Sequence, residues 1–488
     1  MEDWLKQHRY FNERPMLWGI PGALLGALLA LHLGGGMLLL LGLITLALGV
    51  FLLLRGKALY ALPLFLGLLL LRGAILPYVT VTRGVYTVTG TVIDGPEKGR
   101  SKTAAALSRV RLDGQRVPGI LELTVPYDAD LAYGDELSLQ AVVAQDDRGA
   151  VRCLSAVLYA GEAAGPIAVR PGRADPLYGL ALRWRARLAA AADALFGEDA
   201  GPAKGMLFGD RDDVGYLTFL AYRRSGMLHL LTVSGLHVGV VCGAALRLIR
   251  GRRRWLRFLL SALVLGLFCL LTGLSPSSIR AAVMLLIVRF ARLLDRQDDP
   301  ISEVGCAWTL LLLIEPAFLT APGFRLTFGA VWGLACLSPA VIELLHGRQG
   351  RVGSLLVGAV AVFLGMMPLL SVSGGQISWV GVFLSVLVLP VASFFLIPGW
   401  LAVLFYPLLP VLGQALALVP RGVLYYLTTL AELVPVEGLV LRPCNGVALL
   451  LWFTGMLFVS PYFLPNREKP AYLGWGLMTA GALVWFLV

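Results

Sequence analysis

LLGALLALHLGGGMLLLLGLITLALGVFLLL, residues 24–54, carries no Asp, Glu, Lys or Arg along its whole length. A helix that crosses a bilayer needs about 20 consecutive apolar residues. The stretch therefore reads as two spans meeting near the glycine triplet. Spans are expected at about 17–33, 37–54 and 58–78. The first block follows a charged segment and leads straight into further spans, so it reads as an anchor and not as a cleaved signal peptide. The 488-residue chain is 58% hydrophobic and only 15% charged, which excludes an ordinary soluble enzyme.

Charge placement sets the expected orientation. Lys6, Arg9 and Arg14 precede the first span, and Arg55 and Lys57 follow the second. Arg247, Arg250, Arg252, Arg253, Arg254 and Arg257 crowd one later loop; Arg289, Arg292 and Arg296, then Arg348 and Arg351, then Arg467 and Lys469 mark others. Short basic loops stay in the cytoplasm. The N-terminus is thus expected inside, and residue 79 outside. The net charge is +11, and its placement tells more than its size.

Residues 79–170 change character. GVYTVTGTVIDGP, GILELTVP and DELSLQAVVAQ alternate with a period of two, and YGDEL supplies a turn. Such short half-buried strands predict an extracytoplasmic all-β domain, and a five-stranded OB-type barrel fits its size. Residues 171–225 form a connector. In it, Leu177, Leu180, Trp184, Leu188 and Leu195 share one helical face flanked by Arg183 and Arg185, which suits either a membrane surface or packing against the barrel. From 226 to 488 the chain is again membrane-spanning. LTGLSPSSIRAAVM, EPAFLTAPGFRLTF and SVSGGQISWVG interrupt its apolar runs with Gly, Pro, Ser and charge. Irregular backbone at membrane depth persists only where protein buries it or it lines water, so this half is expected to hold a polar cavity. Pro390, Pro398 and Pro420 blur some limits. The expected whole is an α-helical polytopic membrane protein of roughly a dozen transmembrane spans with an inserted OB-like domain.

GMLHLLTVSGLHVGV, residues 226–240, keeps His229, Ser234 and His237 in an apolar run. Four readings stand. On a continuous helix the two imidazoles would point within about 80° of each other, but a zinc site needs three or four ligands and no third is evident. Hydrolysis by Ser234 would need a histidine base, and residues three apart on one helix aim poorly for that. Polar packing between helices and the wall of a polar path are the other two. Arg280 and Arg325 follow broken segments, where intramembrane Arg faces either a cavity or a carboxylate such as Glu315 or Asp210. The six cysteines, Cys153, Cys242, Cys269, Cys306, Cys336 and Cys444, form no CxxC pair and read as structural, so neither metal nor cofactor is expected.

KGMLFGDRDD followed by HLLTVSGLH closely resembles the competence domain of the ComEC family. The match runs through Gly209, Asp210, Arg211, His229, Leu230, Leu231, Ser234, Gly235, Leu236 and His237. Ser275, Pro276, Ser277, Arg280 and Ala281 resemble its next block, and PGFRLTFGAV and GQISWVGVFLSVLVLP resemble two later ones. Arg325, Ala321 and Ser385 stand where the family usually has Gln, Asp and Asn. The resemblance implies a non-enzymatic channel in the bacterial cytoplasmic (inner) membrane, conducting single-stranded DNA inward during natural transformation. It makes His229, Ser234, His237, Arg280, Arg325 and Gln376 candidates for the path. Gly209, Asp210, Arg211, Arg223 and Arg224 become candidates for its mouth or connector. In the β domain, Lys98, Arg100, Lys102, Arg109 and Arg111 would touch DNA, with Tyr78, Tyr86, Tyr127, Tyr133 and Tyr159 as the aromatics at hand. Implied partners are membrane lipid, a DNA receptor on the outer side, and a cytoplasmic helicase or single-strand-binding protein.

Longer family members continue into a metallo-β-lactamase-like nuclease. The five histidines, His8, His32, His229, His237 and His346, form no His-x-His-x-Asp-His cluster, so that domain is expected to be absent from this chain, which is either a piece of a longer protein or a naturally nuclease-less member whose nuclease would be a separate partner. GPEKGRSKT only superficially suggests a phosphate-binding loop, because Arg100 holds the Lys place, and the chain is expected to be a passive conduit. The rival classes are an intramembrane hydrolase using Ser234 and a small-solute transporter, which would be expected to show inverted repeats.

Overall fold

The computed structural model describes residues 15–33, 35–55, 61–75, 81–93, 97–98, 102–126, 131–146, 151–152, 155–172, 175–247, 253–296, 299–345, 350–372, 376–377, 379–434, 439–440, 442–460 and 468–487. Three helices open it: α1 Pro15–His32, α2 Gly35–Leu54 and α3 Ala61–Ile75. They pack through glycine. A Cβ on Gly22 would lie 2.2 Å from the Leu62 carbonyl, and one on Gly67 would lie 2.6 Å from the Leu46 nitrogen. Close backbone approach replaces the hydrophobic drive that lipid cannot supply.

Five strands then close into a barrel: β1 Gly84–Val92, β2 Lys102–Leu112, β3 Ile120–Pro126, β4 Glu136–Gln145 and β5 Ser155–Ala163. The ring order is β1-β2-β3-β5-β4 and back to β1, with only the β3–β5 pair parallel. Alternation drives it, since Leu137, Leu139, Ala141 and Val143 point inward from β4 and join Val88, Leu107, Leu121 and Leu123 in one core. Asp113 and Gly114, both at positive φ, turn the chain after β2, and Gly134 at φ 90° makes the expected turn before β4. Full closure leaves no long free edge for another strand to pair with.

Tyr159 is fully buried in this core, and burial pushes its phenol up to about 12. The folded barrel keeps the phenol neutral while an unfolded chain ionises from about pH 10. The associated stability is fully present below pH 10 and is lost as pH rises toward 12, by about 2 kcal/mol. Tyr159→Phe should remove that part of the alkaline loss. Unfolding midpoints of both chains at pH 9 and pH 11.5 test this, and parallel shifts would refute it.

The rest is helical: α4 Pro176–Phe196, α5 Ala200–Phe208, α6 Tyr216–Arg224, α7 Gly235–Arg247, α8 Arg254–Leu271, α9 Pro276–Leu293, α10 Pro300–Ile314, α11 Pro322–Leu344, α12 Arg351–Val372, α13 Trp379–Phe405, α14 Pro410–Leu433, α15 Gly446–Val459 and α16 Glu468–Leu487. Among the described residues, five helices are long and apolar enough to cross a membrane and six shorter ones are apolar. The chain is a mostly helical membrane protein with a small β-barrel. Pro390 and Pro398 lie inside one 27-residue helix, α13, and Pro420 inside α14.

Asp175 caps α4 by accepting from the Leu177 and Tyr178 amides. Tyr133 meets Tyr178 edge-on at 4.9 Å, joining barrel to helix. The expected single apolar face of α4 divides in two. Leu177, Leu180 and Trp184 are exposed, whereas Leu188 and Leu195 are buried. The second half of α4 enters a core shared with α5, α7, α8, α9, α13 and α14. All nine residues of α5 are buried, so this segment of the connector is a central post.

Candidate functional site

The 226–240 stretch is not one helix. Gly226 at φ 75° follows α6, Leu228–Leu231 forms a single 3₁₀ turn, Thr232 is extended, and α7 starts at Gly235. The helical angle expected between His229 and His237 therefore does not apply, because they sit on different elements. His229 Nδ1 is 3.0 Å from the Gly226 carbonyl, and Thr232 donates to the His229 carbonyl. Ser234 and His237, expected to aim poorly, do meet. The Ser234 Oγ lies 2.9 Å from His237 Nδ1, and the Ser234 amide donates to the same nitrogen at 3.2 Å. Four residues from Ser234 to His237 thus make a helix cap in which the N3 side chain reaches back to the cap's own amide. An Nδ1 that accepts leaves the neutral ring's proton on Nε2. That Nε2 is buried with no hydrogen-bond partner among the described residues. A hydrolytic triad needs a carboxylate there, to orient the base.

The second break, Thr272–Ser275, separates α8 from α9. Gly273 and Leu274 take φ of 69° and 51°. Ser275 caps α9 by accepting from the Ser278 amide, and Thr272, Ser275 and Ser278 share hydroxyl hydrogen bonds. Arg185 of α4 covers this turn so closely that a Cβ on Gly273 would lie 2.5 Å from its Nη1. Asp210 holds Arg185 at 3.7 Å and accepts from the Asp212 amide. Gly209 before it ends α5 at φ 76°, which a Cβ would strain. The Gly-Asp-Arg segment thereby ties α4, α5 and the α8–α9 turn together.

Arg280 is 8% exposed. Its Nε donates to Thr327 Oγ1 of α11 at 3.2 Å. The pairing expected with Glu315 or Asp210 does not form. Glu315 lies 3.6 Å from Arg72, and Asp210 takes Arg185. No ion pair of Arg280 occurs among the described residues. Arg325, one turn along from Ala321, has a buried Nε without a hydrogen-bond partner among the described residues. The third break holds a 3₁₀ turn, Pro316–Thr320, capped by Glu315, which accepts from the Ala317 amide. At the fourth, Gln376 and Ile377 pair with Leu439 and Val440, and the Gln376 side chain lies outside the description.

The remaining candidates scatter. Arg211, Arg223 and Arg224 are exposed. In the barrel, Arg109 and Arg111 are exposed, and Arg111 pairs across strands with Arg116, which the sequence reading passed over. Arg100 and the side chains of Lys98 and Lys102 lie outside the described residues. The expected aromatics shrink. Tyr159 is core, Tyr133 packs on Tyr178, and Tyr78 and Tyr127 are not described, leaving Tyr86.

Sequence reasoning also missed Lys204. This buried ammonium binds Asp193 Oδ1 of α4 at 2.7 Å and Asp213 beyond Gly209. Burial lowers its proton affinity, but the two carboxylates outweigh that and hold it above the ordinary range. The available signal was one charge alone in the apolar run GPAKGMLF.

The family model described as "Competence protein" matches residues 206–465. ComE operon protein 3 of Bacillus subtilis is 30% identical over 207 residues, covering 42% of this chain and 26% of the relative. Recombination protein 2 of Haemophilus influenzae is 29% identical over 135 residues, covering 26% and 17%. The chain thus matches about a quarter or less of the length of these relatives. No solved structure matches.

Proposed function

We propose, from the premise that the chain belongs to the competence protein (ComEC) family, that it acts in DNA uptake as a channel for single-stranded DNA. One observation carries the reading. Arg280 is buried in the helical bundle, bonded through Nε to Thr327, and among the described residues has no carboxylate partner. A cation held this way at depth is costly and suits a passing phosphate. The polar breaks before α7, α9 and α11 support it, because irregular backbone at depth lines a path or is buried by protein.

On this reading the shorter apolar helices also span, giving roughly a dozen crossings in all. The five-stranded barrel, read as OB-like with its closed ring and single parallel pair in support, stands outside and guides the strand. The units are 1–78, 79–170, 171–225 and 226–488, in an inner membrane with the N-terminus in the cytoplasm. Moving one charge against 100 mV costs about 2.3 kcal/mol. A receptor outside should therefore deliver the strand, and a cytoplasmic helicase or single-strand-binding protein should pull or trap it.

Reconstitution in liposomes with a fluorescent single strand tests the proposal. Entry should require the protein and stop at equilibrium unless a luminal single-strand-binding protein is present. Failure of the strand to enter even with the trap would defeat the channel, and steady accumulation against an inside-negative potential without it would defeat the passive mechanism. The Ser234–His237 contact gives a second reading, an intramembrane hydrolase. Labelling of Ser234 by a fluorophosphonate would favour it.

A further inference from the structure

Arg247 at the end of α7, Arg257 near the start of α8 and Arg289 near the end of α9 line one cavity of about 700 Å³. It lies where α7 ends and α8 begins, at the opposite end of α7 from Ser234. Its α7 wall is bare. Gly235, Gly239 and Gly243 recur every four residues and so follow one side of the helix, and a Cβ on any of them meets nothing within 4 Å. Gly239 and Gly243 line the cavity, and the stripe leads on to Arg247.

Among the described residues none of the three guanidinium groups has an ion pair or hydrogen bond, and the Arg289 Nε is buried without a partner. Asp295, six residues after Arg289, pairs with Arg254 at 2.6 Å. Three like charges converging on one hollow repel each other, and a bound anion would relieve that. Arg289 is also distinct from Arg280. Nine residues apart on α9, they point to opposite sides of the helix, one toward this cavity and one toward Thr327.

We propose that Arg247, Arg257 and Arg289 form a phosphodiester-binding vestibule that takes the backbone of a single strand at the Arg247 end of α7. The proposal rests on the channel reading above. A glycine wall lets a backbone of any sequence lie close, and guanidinium forks match phosphate oxygens without reading bases. A cavity of this volume suits a ligand of a few nucleotides' width at most. Its lining favours a strand over a lipid headgroup, because the larger apolar side chains there are only Val240 and Ile397. A phospholipid would need a longer apolar wall for its acyl chains.

The test uses the full chain in phosphatidylcholine nanodiscs with a fluorescent oligo(dT) single strand, and anisotropy titrations across a salt series. Each phosphate contact on a single strand contributes about 0.7 to the slope of log affinity against log salt. Replacing the three arginines together by Gln should lower the slope by about 2 and weaken binding by about tenfold or more at low salt. Replacing them together by Lys should keep the slope. Binding by the native chain with an unchanged slope in the Gln variant overturns the vestibule and leaves the channel standing. No binding by the native chain defeats both. In discs containing phosphatidylglycerol, arginine-dependent retention of that lipid by native mass spectrometry, with strand binding indifferent to the substitutions, would assign the cavity to lipid and overturn the proposal.

Discussion

Gly365→Ala is expected to lower stability by about 3 kcal/mol, at the upper end of what overpacking costs. A Cβ there would sit 2.1 Å from the Gly329 carbonyl oxygen and 2.9 Å from the Gly333 Cα. Both obstacles are backbone of α11, so no side chain can rotate away and α11 and α12 must part. The reciprocal contact is equally tight, since a Cβ on Gly333 would lie 2.2 Å from the Ala361 oxygen. Gly239→Ala is the control. It meets nothing within 4 Å, and replacing a helical glycine by alanine gains up to about 1 kcal/mol. Thermal unfolding in one detergent should separate the two variants clearly. If they melt together, the close crossing of α11 and α12 is wrong.

Arg280→Glu is expected to cut DNA uptake at least about 100-fold, while Ser234→Ala stays within several-fold of the native chain. A unit charge 4 Å from a phosphate is worth about 4 kcal/mol at an effective dielectric of 20, and reversal turns attraction into repulsion where salt screens weakly. Ser234→Ala removes one hydroxyl hydrogen bond to His237, about 1 kcal/mol, and keeps the amide bond to the same nitrogen. Uptake is read with folded yield by size exclusion, and Arg280→Lys should recover part of it. A dead Ser234→Ala beside a working Arg280→Glu would shift the argument to the hydrolase.

The sequence made the membrane class legible through unbroken apolar runs and the barrel through alternation. Apolar runs such as 35–54 leave no alternative to a span, and the alternation in 136–145 survives as alternating burial. The breaks were legible as well, since Gly273, Pro276, Pro316 and Pro322 mark them by type. Partners were not. Glu315 and Asp210 were reasonable mates for Arg280, but which carboxylate meets which arginine depends on helix crossing, and the crossings are set by glycines whose neighbours lie far along the chain. The Ser234–His237 contact was misjudged because one helix was assumed where a turn and a cap occur. The arginines at 247, 257 and 289 read only as marks of orientation. Their convergence needs three helix ends in register, which no local pattern encodes.

Lys204 also orders events in time. Its two carboxylates, Asp193 and Asp213, flank it closely in the chain, so the whole staple leaves the ribosome as a unit. Chains fold from the N-terminus during synthesis as their parts become available. The central post is therefore expected to be clamped before α13 and α14, which pack around it, have been made. Later helices would insert against a finished template, and biogenesis rather than the mature assembly becomes the stage at which losing Lys204 does most harm.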